Sequence, residues 1–154
     1  VEPDLTSIFQ EIADTVTEMF GTDAPDLVCE PGRGIVADAY ALITRVKGVR
    51  DGGHVFLNDG VYGGLAELPI IGNIDRIEVL TPKGTPREGE AGGRVIFGPT
   101  CDSVDRLPGE LALPDTIQEG DFVIFHGAGA YSTVTNTRFN GFGAMTNATV
   151  MRLS

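Results

Sequence analysis

Cys101 and Asp102 put a thiol directly beside a carboxylate, in the stretch Gly98-Pro99-Thr100-Cys101-Asp102-Ser103-Val104-Asp105-Arg106-Leu107. The pair follows a strand-like run, Arg94 to Phe97, and a Gly-Pro turn. An extended run ending in such a turn presents its next side chains at a loop tip, where chemistry often sits on a rigid scaffold. Taken alone, Cys-Asp reads as a small buried thiol beside a turn aspartate. A second stretch, Cys29-Glu30-Pro31-Gly32-Arg33, has the parts of an anion site. Pro fixes the turn, Gly lets backbone N–H groups come close, and Arg offers a planar fork matching phosphate oxygens. Glu30 can pair with a protonated ring nitrogen. An exposed turn with an ion pair reads equally well from these residues alone. In a third stretch, Gly127-Ala128-Gly129-Ala130-Tyr131, glycines flank a phenol able to donate to phosphate, although an isolated Tyr more often packs in a core or on a surface. Phe139-Asn140-Gly141-Phe142 sets two aromatics about a tight turn, which by itself means packing or an interface.

The elements that must position these groups follow from periodicity. Ile8, Ile12, Val16 and Met19 recur at helical spacing, with Phe9, Ala13 and Phe20 widening the stripe. A core-facing helix over 4–20 is expected, capped by Asp4 or Thr6 and stopped by Gly21. Leu27-Val28-Cys29 is too short for a helix and reads as a buried strand of parallel type. A helix, a buried strand and a glycine-rich polar end look like the last unit of a (β/α) barrel, which places chemistry at that end. Residues 35–46 read as a short helical turn passing into a strand. Further strands are expected at 55–57, 76–80, 93–97, 122–125 and 148–153, with Gly/Pro punctuation suggesting an antiparallel β-barrel or sandwich. Residues 82–90 read as a polar, mobile surface loop, and 114–121 as a turn-rich lead into the Phe122 strand.

At 154 residues the chain can bury one respectable core. Twenty-one Gly and nine Pro point to many turns. The net charge of −11 argues against a nucleic-acid partner, which needs clustered Lys and Arg. No apolar run is long enough to span a bilayer, so no membrane partner is expected. The first residues lack the regions of a secretory signal, and two Cys make no disulfide framework, so a reducing cytoplasm is the simpler setting. The chain opens on Val1 and is expected to be a piece of a longer polypeptide.

Six motifs, in order, carry a resemblance: Glu30-Pro31-Gly32-Arg33, Asn58-Asp59-Gly60-Val61-Tyr62-Gly63, Gly98-Pro99-Thr100-Cys101-Asp102, Glu119-Gly120-Asp121, Gly129-Ala130-Tyr131 and Phe139-Asn140-Gly141-Phe142. Together they resemble the C-terminal part of the ornithine/diaminopimelate/arginine decarboxylases, with ornithine decarboxylase nearest. These are fold-type III enzymes of pyridoxal 5′-phosphate (PLP), with a (β/α)₈ barrel followed by a β-domain. The resemblance implies a mainly β chain with some α: residues 1–36 as the last helix and strand of the barrel, and 37–154 as the C-terminal β-barrel or sandwich. It implies that Glu30 keeps the pyridine nitrogen protonated, while Gly32, Arg33 and Tyr131 bind the cofactor phosphate. Cys101 would return a proton to the substrate carbon across a two-fold interface, Asp102 would contact the distal amine, and Phe139 would pack near that interface. The working form would be a homodimer with shared sites acting on a small amino-acid substrate, in polyamine biosynthesis, with no metal.

Two departures qualify the resemblance. The family's Schiff-base lysine lies early in the barrel, and neither Lys47 nor Lys83 matches its motif. The His that stacks on the ring is missing too, and the chain represents about two-fifths of a member, given a barrel of ~250 residues. Alone it is expected to be inactive. Second, the acidic residue that faces the distal amine falls near Ile71, which is apolar, and Glu67 is several residues out of register. The substrate is therefore ornithine or a related basic amino acid. Two alternatives stay open: a non-catalytic decarboxylase-like regulator, and a self-standing β-module that must cover the apolar surfaces at 4–20 and 27–29.

Overall fold

The computed structural model describes residues 4–72 and 76–150. The chain divides into two compact units, residues 1–31 and 32–154. In the first, α1 (Leu5–Phe20) forms where the spacing predicts it. The Asp4 carboxylate accepts from the Ser7 N–H, and the Gly21 N–H closes the far end on the Thr17 carbonyl. A single 3₁₀ turn, Gly21–Asp23, follows. The apolar stripe is not core-facing, since Ile8, Phe9, Ile12 and Met19 are all exposed. Nor do Leu27, Val28 and Cys29 form a buried strand: they carry no regular structure, and Val28 is 90% exposed. The cause is the same for both. A strand needs a ladder partner and a stripe needs a sheet, and the described residues of this unit contain neither.

The second unit opens with α2 (Gly32–Val36) and a 3₁₀ turn, Ala37–Ala39, before β1 (Ala41–Arg50). Then come β2 (His54–Leu57), α3 (Leu68–Ile71), β3 (Ile77–Leu80), β4 (Ala91–Phe97), β5 (Leu111–Pro114) and β6 (Phe122–His126). The strands lie in one sheet in the order β3-β6-β1-β2-β4-β5, antiparallel except for β2 beside β4. β1 is long enough to serve two partners. Its first half pairs with β6 through Ala41–Arg45 and its second half with β2 through Val46–Arg50, and the register slips between Val46 and Gly48. Alternation buries Val46 on β1, Val55 and Leu57 on β2, and Leu111 and Leu113 on β5. β6 lies between two strands and buries Val123, Ile124 and Phe125 consecutively. Of these, all but Ile124 join Leu65, Leu68 and Ile117 in one core.

Three expectations change. β5 and α3 were not anticipated: Leu111-Ala112-Leu113-Pro114 is a short edge strand ending in a proline that edge positions tolerate, and α3 is a single turn with Pro69 at its start. Residues 148–150 form no strand, and 151–153 lie outside the described residues. The loop over 82–90 is not loose either. Thr81 and Thr85 close a turn, Leu80 bridges to Pro86, and the Arg87 N–H donates to the Val79 carbonyl. The Arg87 guanidinium then pairs in two-pronged fashion with the fully buried Asp121 carboxylate, at 2.5 and 2.9 Å. Asp121 also accepts from the Gln118 N–H, which ties this loop to the turn that leads into β6. Removing one partner of such a pair leaves a buried charge uncompensated. Arg87→Ala is therefore expected to cost about 3–5 kcal/mol, read by urea denaturation. A loss under about 1 kcal/mol would mean that Asp121 finds water instead.

Candidate active site

Two buried carboxylates, Asp105 and Asp59, shape the loops that carry Cys101, Asp102 and Tyr62. Asp105, 1% exposed, accepts from the Val61 N–H through Oδ1 and from the Thr100 N–H through Oδ2, both at 3.0 Å. Its own carbonyl accepts the Gly98 N–H, and its N–H donates to the Asp102 carbonyl. A side chain at Gly60 or Gly98 would overlap the Asp105 carboxylate, so glycine is required at both places. Asp59 plays a parallel part. It accepts from the N–H groups of Gly60 and Gly64, and a Cβ on Gly63 would collide with it. Burial pushes the Asp59 carboxyl above its ordinary range, against the pull of those two N–H donors.

The loop over 98–105 held this way brings out Cys101 and Asp102. Cys101 is exposed and free, not the buried thiol that Cys-Asp suggests in isolation. The Asn140 amide donates to its sulfur at 3.6 Å. Asp102 accepts from the Tyr62 hydroxyl at 2.5 Å and from the Val104 N–H at 2.9 Å. The phenol, and next the N–H, hold the Asp102 carboxyl below the usual aspartate range, while Asp102 in turn pushes the Tyr62 hydroxyl up. The Tyr62 ring stacks on Phe139, with centroids 4.4 Å apart. The Tyr62 carbonyl accepts both the N–H and the hydroxyl of Thr137, which fixes the segment carrying Phe139 and Asn140. Thiol, carboxylate, phenol and aromatic ring thus meet on one face. A carboxylate with a phenol suits a cationic amine, and the adjacent thiol is a proton source.

A second cluster gathers at α2. The Arg33 guanidinium lies 5.5 Å from the centre of the Tyr131 ring, and Arg33 Nη2 donates to both Glu67 oxygens at 2.8 and 2.9 Å. Tyr131 sits at φ +65°, a left-handed position, in a loop whose Gly129 N–H bonds the Ala37 carbonyl. Any Cβ at Gly129 would strike the Val36 carbonyl, so the glycine is what lets this loop lie against α2. Gly32 opens α2, one residue before Arg33. Among the described residues no hydrogen bond or ion pair joins this cluster to the one around Cys101 and Asp102. Glu30 is exposed and belongs to the first unit. Ile71 ends α3, half exposed. Lys47 lies on β1 and Lys83 in the turn after β3. Sequence reasoning gave no role to Tyr62, Asp105 or Asn140. The three-residue step from Asp102 to Asp105 in a turn, and the Tyr within Asn-Asp-Gly-Val-Tyr-Gly, were the available signals.

Residues 12–129 match the family model for the pyridoxal-dependent decarboxylase C-terminal sheet domain. The chain belongs to this decarboxylase family. It is 31% identical to the chloroplastic ornithine decarboxylase of Nicotiana glutinosa over 82% of its own length and 32% of that protein's. It is 29% identical to antizyme inhibitor 2 of Xenopus laevis, over 87% of the chain and 33% of the relative. The crystal structure of the Paramecium bursaria Chlorella virus arginine decarboxylase bound to agmatine superposes with a TM-score of 0.69 at 35% identity, over 88% of this chain and 37% of that one. The chain therefore spans about a third of the length of the curated relatives it matches. The mainly β architecture of a fold-type III decarboxylase C-terminal domain, expected from the motifs, is what the family match and the sheet display.

The Tyr62–Asp102 contact has a signature in pH. Because the folded Asp102 carboxyl titrates below its ordinary value, its contribution to stability is present above the usual aspartate range and is lost as pH falls through the depressed value. Tyr62→Phe removes the hydrogen bond that does most to depress it. In a carboxyl ¹³C NMR titration the Asp102 midpoint of that variant is expected to move up toward the ordinary aspartate range. An unmoved midpoint would assign the depression to the Val104 N–H alone.

Proposed function

We propose that this chain is the C-terminal part of a PLP-dependent decarboxylase that converts ornithine or a related basic amino acid into a diamine and CO₂, in cytoplasmic polyamine biosynthesis. The observation that carries the reading is the meeting of Arg33 and Tyr131, far apart in sequence, as a guanidinium and a phenol beside backbone that Gly129 keeps close. A guanidinium and a phenol brought within one ring contact of each other bring two kinds of donor that a phosphate monoester uses. On this reading residues 1–36 are the end of a (β/α)₈ barrel and 37–154 the β-domain. The exposed apolar stripe of α1 fits a piece that packs elsewhere in a longer protein.

PLP, when bound, supplies the electron sink that lets the bond to the departing CO₂ break. The residues of this chain then have separate tasks. Arg33 and Tyr131, with Gly32, hold the phosphate, and Glu30 keeps a proton on the ring nitrogen. Cys101 gives its S–H proton to the carbon that has lost CO₂, and the sulfur regains a proton from solvent. Asp102, oriented by the Tyr62 hydroxyl, accepts the distal ammonium, and Phe139 keeps water from the aromatic side of the cluster. The phosphate cluster and the Cys101 cluster are separate within one chain, which supports a homodimer in which each subunit completes the other's site. Neither Lys47 nor Lys83 is assigned to the cofactor, so the chain alone is inactive.

A second reading, a decarboxylase-like protein that regulates rather than catalyses, draws support from the similarity to antizyme inhibitor 2. The presence of Glu30, Arg33, Cys101, Asp102 and Tyr131 together favours catalysis. Both readings are tested on the full-length gene product. With lysine, ornithine and arginine as substrates, CO₂ release is expected, and Cys101→Ala is expected to send a large share of turnover to wrongly protonated product while PLP binding is unchanged. Unchanged turnover and product distribution in that variant would remove Cys101 from the reaction, and no CO₂ from any of the three would favour the regulator.

A further inference from the structure

Glu67 lies where a bound anion would have to go. Its carboxylate takes the Arg33 Nη2 donor with both oxygens, at 2.8 and 2.9 Å, and it is the more buried partner, 21% exposed against 41% for Arg33. The backbone around it is fixed from both sides. Leu65 and Leu68 are core residues, and the Glu67 carbonyl accepts the N–H groups of Ile70 and Ile71, so the residue sits at the very start of α3. A carboxylate on so fixed a backbone meets the guanidinium with little conformational entropy left to lose. A phosphate monoester offers the same kind of oxygens to the same fork, with more charge, and is repelled by a neighbouring carboxylate.

We propose that Glu67 is an internal counter-anion for Arg33, which a phosphate group must displace, and that this exchange links occupancy of the Arg33–Tyr131 cluster to the start of α3. The proposal rests on the reading of Arg33 as a phosphate ligand. It gives Glu67 a role other than facing the substrate's distal amine. It also accounts for a carboxylate beside an anion site, where electrostatics alone would disfavour one. While Glu67 is on Arg33 the affinity for phosphate is held down and α3 is anchored. When phosphate takes the guanidinium, Glu67 turns to solvent and α3 loses its side-chain tether, keeping its Pro69 start and its core residue Leu68.

The test is a titration of the ¹⁵N-labelled 154-residue chain with inorganic phosphate at constant ionic strength, following the backbone amides of Gly32, Tyr131, Ile70 and Ile71 by NMR. Wild type, Glu67→Gln, Arg33→Gln and the double variant are compared, and the core amides of Val123 and Phe125 report that each is folded. Glu67→Gln is expected to bind phosphate about 2- to 5-fold more tightly, the scale of a partly exposed ion pair. In wild type the Ile70 and Ile71 amides are expected to shift with phosphate, and in Glu67→Gln they are expected to stay still. Equal affinity in wild type and Glu67→Gln overturns the proposal. If that equal binding still vanishes in Arg33→Gln, the phosphate role of Arg33 stands and only the exchange fails. If phosphate shifts are absent, or the same in Arg33→Gln as in wild type, the phosphate role fails and the exchange falls with it.

Discussion

The buried carboxylate of Asp105 is the contact on which the Cys101 site depends. It is almost fully out of water, and an unpaired charge there would cost several kcal/mol. What compensates it is a pair of backbone N–H groups, Val61 and Thr100, drawn from two loops far apart in the chain. Each loop is closed on itself by backbone bonds, Gly98 N–H to the Asp105 carbonyl in one and Gly63 N–H to the Gly60 carbonyl in the other, but no backbone–backbone bond among the described residues joins the two loops. The charge joins them. Because the donors are backbone rather than side chain, the only demands on sequence nearby are the glycines at 60 and 98 that clear space for the oxygens. Tyr62 follows Val61 by one residue and Asp102 follows Thr100 by two. Their hydrogen bond is thus set by the same charge that joins the loops.

β1 does for the sheet what Asp105 does for the loops. With ten residues it pairs with β6 through one half and β2 through the other. The slip at Val46 to Gly48 lies in the β2 pairing, just past the point where the β6 pairing ends at Arg45, and does not break the strand. At the slip the chain also makes its tie to the Asp121 turn, where the Val46 N–H donates to the Asp121 carbonyl and the Val46 carbonyl accepts the Gly120 N–H. Asp121 itself is held by Arg87, so a third buried carboxylate ties a peripheral loop to the centre of the sheet.

What the sequence made legible, and what it hid, follows from range. The helix over 4–20 was readable because its spacing, cap and stop are local, and Asp4 and Gly21 perform as caps of those types should. The strands at β2, β3, β4 and β6 were readable because alternation or an apolar run sits between turn residues. Leu27–Cys29 looked like a strand by the same criterion and is none, because a strand is completed by a neighbour that local sequence does not name. β5 was hidden by its brevity and by Pro114, α3 by being one turn long. The polar loop over 82–90 looked mobile because its anchor, Asp121, lies 34 residues from Arg87. For the candidate site, the residue types in the motifs picked out Arg33, Tyr131, Cys101, Asp102 and Phe139, and the structure places them in two clusters. The supporting groups were not legible. Asp105 is one acid among 22 Asp and Glu residues, and its spacing from Asp102 in a turn does not reveal that its carboxylate is buried between two loops.

Cys101 is exposed and Asp102 part-exposed while the Asp105 carboxylate that sets their loop is buried, and this division carries a physical consequence. Two opposite charges about 4 Å apart are worth about 1 kcal/mol in bulk water and about 4 kcal/mol at the effective dielectric of a covered protein surface. Asp102 at an open loop tip therefore selects poorly for an amine, however well Tyr62 orients it. Selectivity requires that something low in dielectric close over the cluster. Its rim is already apolar: Val104, whose N–H bonds Asp102, Phe139 stacked on Tyr62, and Phe142 beyond it are all exposed. Covering them would repay in buried apolar area what dehydrating the carboxylate costs, and the tyrosine hydroxyl remains as a donor when water leaves. The proposed second subunit would meet that requirement, and a site left open on a single chain would not. On the proposed reading, the exposed Cys101 and the part-exposed Asp102 are what half a site would show, with the other half supplying the dry surroundings in which one carboxylate is enough to hold an ammonium group.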